Sequence, residues 1–536
     1  MPRPRLWPAA LVLLLGALWT SAAWLTGDSI RQVRVEQTLA AAALVVLGLL
    51  AWLAFFSRLP RRVRRTAGLL SLALLALVPV FVRVRGVTGD LRPIVELRFG
   101  PQAARPAPVP SATPTPEAPA VSAPAVANPV AAAPSAAPAP ADVGAPRPAR
   151  APLPAFPQFL GPSRDATLAG PRLARDWSRR PPKRLWRQPL GEGWSGFAVA
   201  DGIAVTQEQR GDEEQVVAYD ARSGRALWSH ADKARYATVI AGVGPRATPT
   251  IEGGRVYTLG GTGLLNALEL ASGRRLWSHD VVREADAVLP DWGKSSSPLV
   301  AFGRVVVPGG GPGHALVAYD ARSGDLAWAK GDGGASYSSA TLMTLAGQRQ
   351  IVVLNARSLS GHDPATGAVL WEHPFPSGQP NVAMPVQLGP ERLVASVGYG
   401  VGSKAYRVAE SGGSLAATLE WESPRLKSKF ANLVVRGGFV YGLDDGVLTC
   451  LDPASGERRW KAGRHGHGQL LVVGELLLVQ TEEGELVLVD PAPDAYRELT
   501  RFPALDGKTW NPPALAGALL LVRNDREAAA YELPVE

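Results

Sequence analysis

The chain has 536 residues and a formal net charge of +9, and the whole excess lies in residues 1–100, which hold 13 arginines and four acids. Residues 101–536 are balanced, so the basic character does not predict a nucleic-acid-binding surface. Cys450 is the only cysteine, which excludes an intrachain disulfide and a cysteine-based zinc site.

Three apolar runs occupy the N-terminal hundred residues. We predict transmembrane helices over about 6–25, 38–56 and 67–84, because about 20 apolar residues cross a bilayer. By the positive-inside rule, the arginine-rich loop 57–66 is expected in the cytoplasm, together with the N-terminus. Everything after the third helix is then expected outside the cytoplasm. The alternative for the first run is a signal peptide cleaved near Ala23.

A Pro/Ala-rich stretch, 101–155, follows this membrane anchor (1–100). Such a composition cannot bury a core, so we expect a disordered or polyproline-II tether. From residue 156 to the end, short runs of Val, Leu, Ile and Tyr alternate with Gly, Asp and Ser, which predicts an all-β domain over 156–536.

Five segments of this domain share one frame, in which an acid is followed four residues later by Gly and eight residues later by Trp. They are 219–228, 268–277, 319–328, 362–371 and 451–460. We expect the acid to cap a tight turn, the Gly to supply its positive φ, and the Trp to pack against the neighbouring repeat.

The tryptophans set the repeat at about 40–50 residues, which is typical of a four-stranded propeller blade. We therefore predict an eight-bladed β-propeller after the α-helical transmembrane region. The last repeat lacks its outer strand, and we expect Lys183–Pro189 from the start of the domain to supply it, which removes an exposed edge.

The repeat resembles the pyrroloquinoline-quinone (PQQ)-like propeller repeat of quinoprotein alcohol dehydrogenases and of BamB-type assembly lipoproteins, within the wider WD40-like and YVTN-like repeat superfamily. The lead-in 156–165, FPQFLGPSRD, is similar to that of exported bacterial members. The resemblance implies either a Ca²⁺-held quinone with a catalytic Asp or a non-catalytic scaffold.

The single cysteine excludes the adjacent Cys pair that abuts the quinone in the alcohol dehydrogenases. Membrane-bound glucose dehydrogenases resemble this architecture without that pair, but they carry long excursions between strands that this chain lacks. We therefore assign no catalytic, cofactor-binding or metal-binding residue, and the prediction favours a non-enzyme without cofactors.

The predicted function is a binding or scaffold module for protein or peptide partners. It is anchored as a multi-pass protein in the bilayer of the bacterial inner membrane, with the propeller in the periplasm and no nucleic-acid partner. The alternative is a PQQ-dependent dehydrogenase, with Ca²⁺, that passes electrons to membrane quinone.

Weaker candidates remain within the domain. His465 and His467 could pair on a metal, although an exposed loop is the simpler interpretation, and the Gly-rich 309–314 lacks the Lys of a phosphate-binding loop. Segment 291–298 could line the central channel, and Cys450 is expected to be buried. Any site is expected where the repeat is broken, at 230–250, 280–298, 374–404 and the degenerate turn before Trp421.

Overall fold

The computed structural model describes residues 5–25, 31–100, 106–111 and 153–536. Three N-terminal helices are long and apolar enough to cross a membrane: α1 (Trp7–Leu25), α2 (Arg31–Ala51, continued by a π-helical turn Trp52–Phe56) and α3 (Arg61–Phe81). The second and third begin earlier than the apolar runs predict, because polar and arginine-rich turns also favour helix.

The third helix ends at Phe81 rather than at 84, because the next residues form a β-hairpin. Its strands, Val82–Val87 and Pro93–Leu97, pair antiparallel and leave 88–92 as the connecting turn. We call this element, 82–97, the N-terminal hairpin, and residues 87–91 its tip.

Most of the Pro/Ala-rich stretch lies outside the described residues, so its expected disorder stays a prediction. Within the described residues 106–111, Ser111 forms a β-bridge with Ser229 in the outer strand of the first blade. Arg210 also donates to the carbonyl of Ala107 at 2.7 Å.

The domain is an eight-bladed propeller of four-stranded antiparallel sheets, as the sequence predicts. Each blade is given from its inner to its outer strand. Blades 1–4 are 198–200, 203–210, 213–220, 226–232; 250–252, 255–259, 264–269, 275–280; 299–301, 304–311, 314–320, 326–330; and 341–345, 348–354, 358–362, 369–374. Blades 5–8 are 386–387, 392–397, 402–411, 414–423; 434–436, 439–444, 447–451, 458–464; 469–473, 476–480, 485–490, 497–503; and 514–516, 519–523, 527–532, 183–189.

The outer strand of blade 8 is Lys183–Pro189, which confirms the predicted closure. It pairs antiparallel with Glu527–Glu532, and Trp186 lies opposite Ala530. The two ends of the domain are therefore held in one sheet, and the ring has no open blade.

The repeat turn performs the role expected of it. Asp363 Oδ1 accepts the backbone N–H groups of Ala365 at 3.0 Å and Thr366 at 2.8 Å, and Gly367 has φ +72°. A Cβ on Gly367 would lie 2.3 Å from the ring of Trp328 in blade 3. The same contact joins Trp186, Trp228, Trp277 and Trp421 to the turn glycine of the next blade, where a larger residue would clash with the indole.

The blades are also joined through the indole N–H groups of these tryptophans. Most of the repeat Trp side chains donate to a carbonyl of the next turn, as Trp228 does to Leu270 at 2.8 Å. Blade 5 has the degenerate turn 411–414, and Trp371 of blade 4 instead donates to Gln350 within its own blade.

The lead-in runs through the central channel. Phe156 bridges to Val199 of blade 1, and Thr167–Leu168 adds a parallel strand to the inner strand of blade 7. Between these points Arg164 is buried, with its guanidinium donating to the carbonyls of Ser297, Pro298 and Ala340 in the walls of the channel.

Candidate functional site

A cavity of about 250 Å³ lies at one end of the central channel, between the lead-in and the N-terminal hairpin. The connections between successive blades meet here with the loops between second and third strands, and we call this side of the propeller the mouth face. Phe159 of the lead-in lines the cavity from below, and Val87 and Leu91 of the tip line it from above.

Aromatic side chains from separate connections form the wall of this mouth cavity. They are Trp194, Trp292, Tyr337, Tyr399, Phe430 and Trp510. Ring centroids lie 4.9 Å apart for Trp194 and Trp510, 4.9 Å for Phe430 and Trp510, and 5.1 Å for the stacked pair Trp292 and Tyr337. These distances are those of mutually packed rings, so the wall is a continuous apolar belt.

Two cations lie against aromatic rings near the cavity. Lys508 Nζ lies 4.1 Å from the ring centroid of Trp510, and burial lowers the pKa of Lys508 to about 8. Arg246 lies 4.5 Å over the Tyr236 ring, and burial lowers its pKa to about 10. None of the described residues lining the cavity is Asp or Glu, and Arg246 is the one charged residue among them.

The tip of the N-terminal hairpin is held in the mouth through its backbone. Glu482 Oε1 accepts the N–H of Gly89 at 2.7 Å, and Lys429 Nζ donates to the Gly89 carbonyl at 3.2 Å. Lys508 Nζ donates to the Val87 carbonyl at 3.0 Å. The propeller therefore binds a peptide turn of its own chain at this face.

The carboxylate of Asp90 makes the side-chain contacts of the tip. Its oxygens lie 3.2 Å from His467 Nε2 and 3.1 Å from Arg31 Nε. Burial raises the pKa of Asp90, but the hydrogen bond and charge of His467 outweigh it, so the pKa lies below its ordinary value. Asp90 is therefore bound as a carboxylate.

Helix α2 meets the propeller at its start. Besides the contact of Arg31, Gln32 accepts a hydrogen bond from Lys429 Nζ at 2.9 Å. The arginine-rich residues 58–65 lie at the other end of this helix, about 39 Å away at 1.5 Å per residue. The mouth face thus points toward the helices, and the arginine-rich end points away from the propeller.

The segment 291–298 lines the mouth cavity through Trp292, Ser295 and Ser297. The connections 230–250 and 374–404 reach the same cavity through Ile240 and Tyr399. Three of the four places where the repeat is broken therefore meet at one site, whereas the turn before Trp421 lies on the opposite face.

His465 and His467 are buried, so an exposed loop is the wrong interpretation for them. Their side chains have different partners: His467 faces Asp90, and His465 lies near Tyr496, where burial lowers its pKa to about 4. No group of three or more His, Cys, Asp or Glu residues in the described ranges is placed to hold a metal.

The remaining candidates are structural. Segment 309–314 joins the second and third strands of blade 3, and its Gly309 carbonyl accepts from the buried Lys294 Nζ at 2.6 Å. Cys450 is fully buried in blade 6, as expected, and burial raises the pKa of its thiol to about 11.

Sequence reasoning missed the N-terminal hairpin and the groups that receive it. Val82 to Val87 alternates apolar residues with arginine and glycine before the Thr88-Gly89-Asp90 turn, which is a hairpin signal masked by the preceding apolar run. Lys429 and Glu482 carry no comparable signal in the sequence.

The residues of the mouth cavity do not fit a Ca²⁺-held quinone. Aromatic walls and Arg246 suit a planar anionic ring, but Ca²⁺ requires oxygen ligands that include carboxylates, and the described lining residues supply none. The two carboxylates beside the cavity are already engaged, since Glu482 accepts the N–H groups of Gly89, Trp510 and His467, and Asp90 faces His467 and Arg31.

The propeller matches a known protein family. A family model described as outer membrane protein assembly factor BamB matches residues 176–291 and 212–462. No curated protein sequence matches the chain.

Solved structures resemble the propeller at low sequence identity. A europium-containing methanol dehydrogenase is 12% identical over 71% of this chain and 98% of its own, with a TM-score of 0.54. BamB from Moraxella catarrhalis is 16% identical over 66% and 98%, with a TM-score of 0.48. Quinohemoprotein alcohol dehydrogenase from Comamonas testosteroni is 15% identical over 72% and 81%, with a TM-score of 0.43.

Proposed function

Because the chain belongs to the family of the outer membrane protein assembly factor BamB, we propose that it is a non-catalytic binding or scaffold module for protein or peptide partners. The observation that carries the proposal is the mouth face, where buried charged side chains hold the backbone of a peptide turn above a cavity whose described lining has no carboxylate.

We further propose that the three helices anchor the chain in the bacterial inner membrane and that the propeller lies in the periplasm. The arginine-rich end of the helices supports this orientation, because such residues favour the cytoplasmic side. Protease added to spheroplasts should then degrade the propeller, and full protection of the propeller would contradict the orientation.

Crosslinking in cells tests the binding role. A photoreactive residue at Val288, which is 86% exposed on the connection before blade 3, samples the mouth face. One at Phe302, which is 53% exposed on the turn after the inner strand of blade 3, samples the opposite face. Reproducible protein adducts from either position support the proposal, and adducts from neither position end it.

The alternative, a PQQ-dependent dehydrogenase that passes electrons to membrane quinone, rests on the aromatic belt and Arg246. These groups could stack against and neutralise a planar anionic cofactor. The lining gives no carboxylate ligand for Ca²⁺ among its described residues, which favours the binding role.

A further inference from the structure

We propose that the mouth is a recognition site for β-turn peptides in which a glycine is followed by an acidic residue, and that the hairpin tip is its displaceable resident ligand. This inference rests on the proposed binding function and names the chemistry of the partner. The N-terminal hairpin then competes with the partner peptide from within the same chain.

The contacts of the tip are ones that another peptide could make. Three of them engage only backbone atoms, namely the N–H and carbonyl of Gly89 and the carbonyl of Val87. Any turn of the same shape presents those groups, so these three contacts do not depend on side-chain identity.

Two features restrict which turns fit. A Cβ on Gly89 would lie 2.0 Å from the His467 ring, so the apex position accepts only glycine without displacement of the buried histidine. The next position places a carboxylate between His467 and Arg31, with cationic Lys429 nearby. An acidic residue after the glycine is therefore favoured over a neutral or basic one.

The receiving groups are fixed by the propeller itself. Glu482 accepts the Trp510 indole N–H at 2.9 Å and the backbone N–H of His467 at 3.0 Å. Lys429 is 2% exposed and lies 5.0 Å from the ring centroid of Tyr399. A preorganised set of this kind loses little conformational freedom when a peptide binds, which favours recognition over incidental packing.

The resident hairpin is attached in a way that permits exchange. It is a two-stranded sheet, which is marginal by itself, and ion pairs from Arg85 to Asp525 and from Arg526 to Glu96 secure it to the rim of blade 8. Partly exposed ion pairs contribute little stability. Because the hairpin belongs to the same chain as the propeller, its tip nevertheless has an effective concentration of about millimolar, and a free peptide must compete with it.

The test uses the full-length protein in detergent and a fluorescent cyclic peptide of residues 85–92, RGVTGDLR, read by anisotropy. Gly89→Val in the protein should expel the resident tip and leave the receiving site intact. Gly389→Val is the matched control, since a Cβ there meets nothing within 4 Å on the opposite face. Equal thermal unfolding of the two variants verifies that Gly89→Val is folded.

We expect Gly89→Val to bind the peptide at least about tenfold more tightly than wild type or the control. The reason is that a larger fraction of the protein then has a mouth free of the resident tip. Adding Glu482→Gln should remove that gain, and a peptide with valine in place of its glycine should not bind. Equal affinity of Gly89→Val and wild type, equal binding of the two peptides, or no binding by any variant overturns the proposal. Peptide binding without adducts in cells from Val288 or Phe302 would uphold this site and end the proposed function.

Discussion

Replacing Gly367 with alanine tests the inter-blade contact on which the repeat depends. Gly367 has φ +72°, and its Cβ would lie 2.3 Å from the ring of Trp328. Gly347 in the same blade provides a matched control, because its φ is +75° and a Cβ there meets nothing within 4 Å. The two substitutions share the backbone strain and differ in the clash with the indole.

The magnitudes follow from these two effects. A left-handed conformation costs an alanine about 1–2 kcal/mol, so Gly347→Ala should lower the free energy of unfolding by about 1 kcal/mol. Overpacking a filled contact adds about 1–3 kcal/mol, which brings Gly367→Ala to about 3 kcal/mol. In a Trp328→Ala background the clash is gone, and the effect of Gly367→Ala should fall back to about 1 kcal/mol.

Urea unfolding followed by far-UV circular dichroism measures all four variants without relying on tryptophan fluorescence. Gly367→Ala should be less stable than Gly347→Ala by about 2 kcal/mol. Equal losses in the two variants, or an unchanged effect of Gly367→Ala after Trp328 is removed, would refute the packing role of the repeat.

Three further predictions concern buried polar groups. Burial raises the pKa of Glu214 to about 7, so the folded chain keeps a proton that the unfolded chain releases near pH 4.5. The free energy of unfolding of the wild type should therefore fall as pH rises from 4.5 to 7. In denaturation at a series of pH values, Glu214→Gln should gain about 3 kcal/mol relative to wild type across that window. A difference between the two proteins that does not change with pH would exclude this titration. Arg164→Met should cost about 3 kcal/mol in urea unfolding because it leaves buried carbonyls unpaired, and a neutral result would show that Arg164 does not anchor the lead-in in the channel. Cys450 should resist iodoacetamide until the chain is denatured, and rapid labelling of the native protein would contradict its burial.

The propeller was predictable because its signals are local and repeated. The acid, Gly and Trp of 362–371 specify a turn, a positive φ and a large apolar face within ten residues. Closure by Lys183–Pro189 was predictable from the missing outer strand of the last repeat, because a three-stranded last blade would leave an exposed edge.

The candidate site was predictable only in part. The breaks in the repeat indicated where side chains are free of blade packing, and three of them do meet at the mouth. The contact between Asp90 and His467 spans 377 residues, so no spacing in the sequence could reveal it. The hairpin was also missed because it directly follows an apolar run, and hydropathy alone extends α3 beyond Phe81.

The choice between a binding module and a quinoprotein is tested most directly by adding PQQ and Ca²⁺ to the purified full-length protein. Absorbance titration measures cofactor binding, and a dye-linked assay with alcohols and sugars measures turnover. We expect neither stoichiometric binding nor turnover, because the described cavity lining offers no carboxylate to Ca²⁺. Stoichiometric quinone binding with substrate oxidation would contradict it.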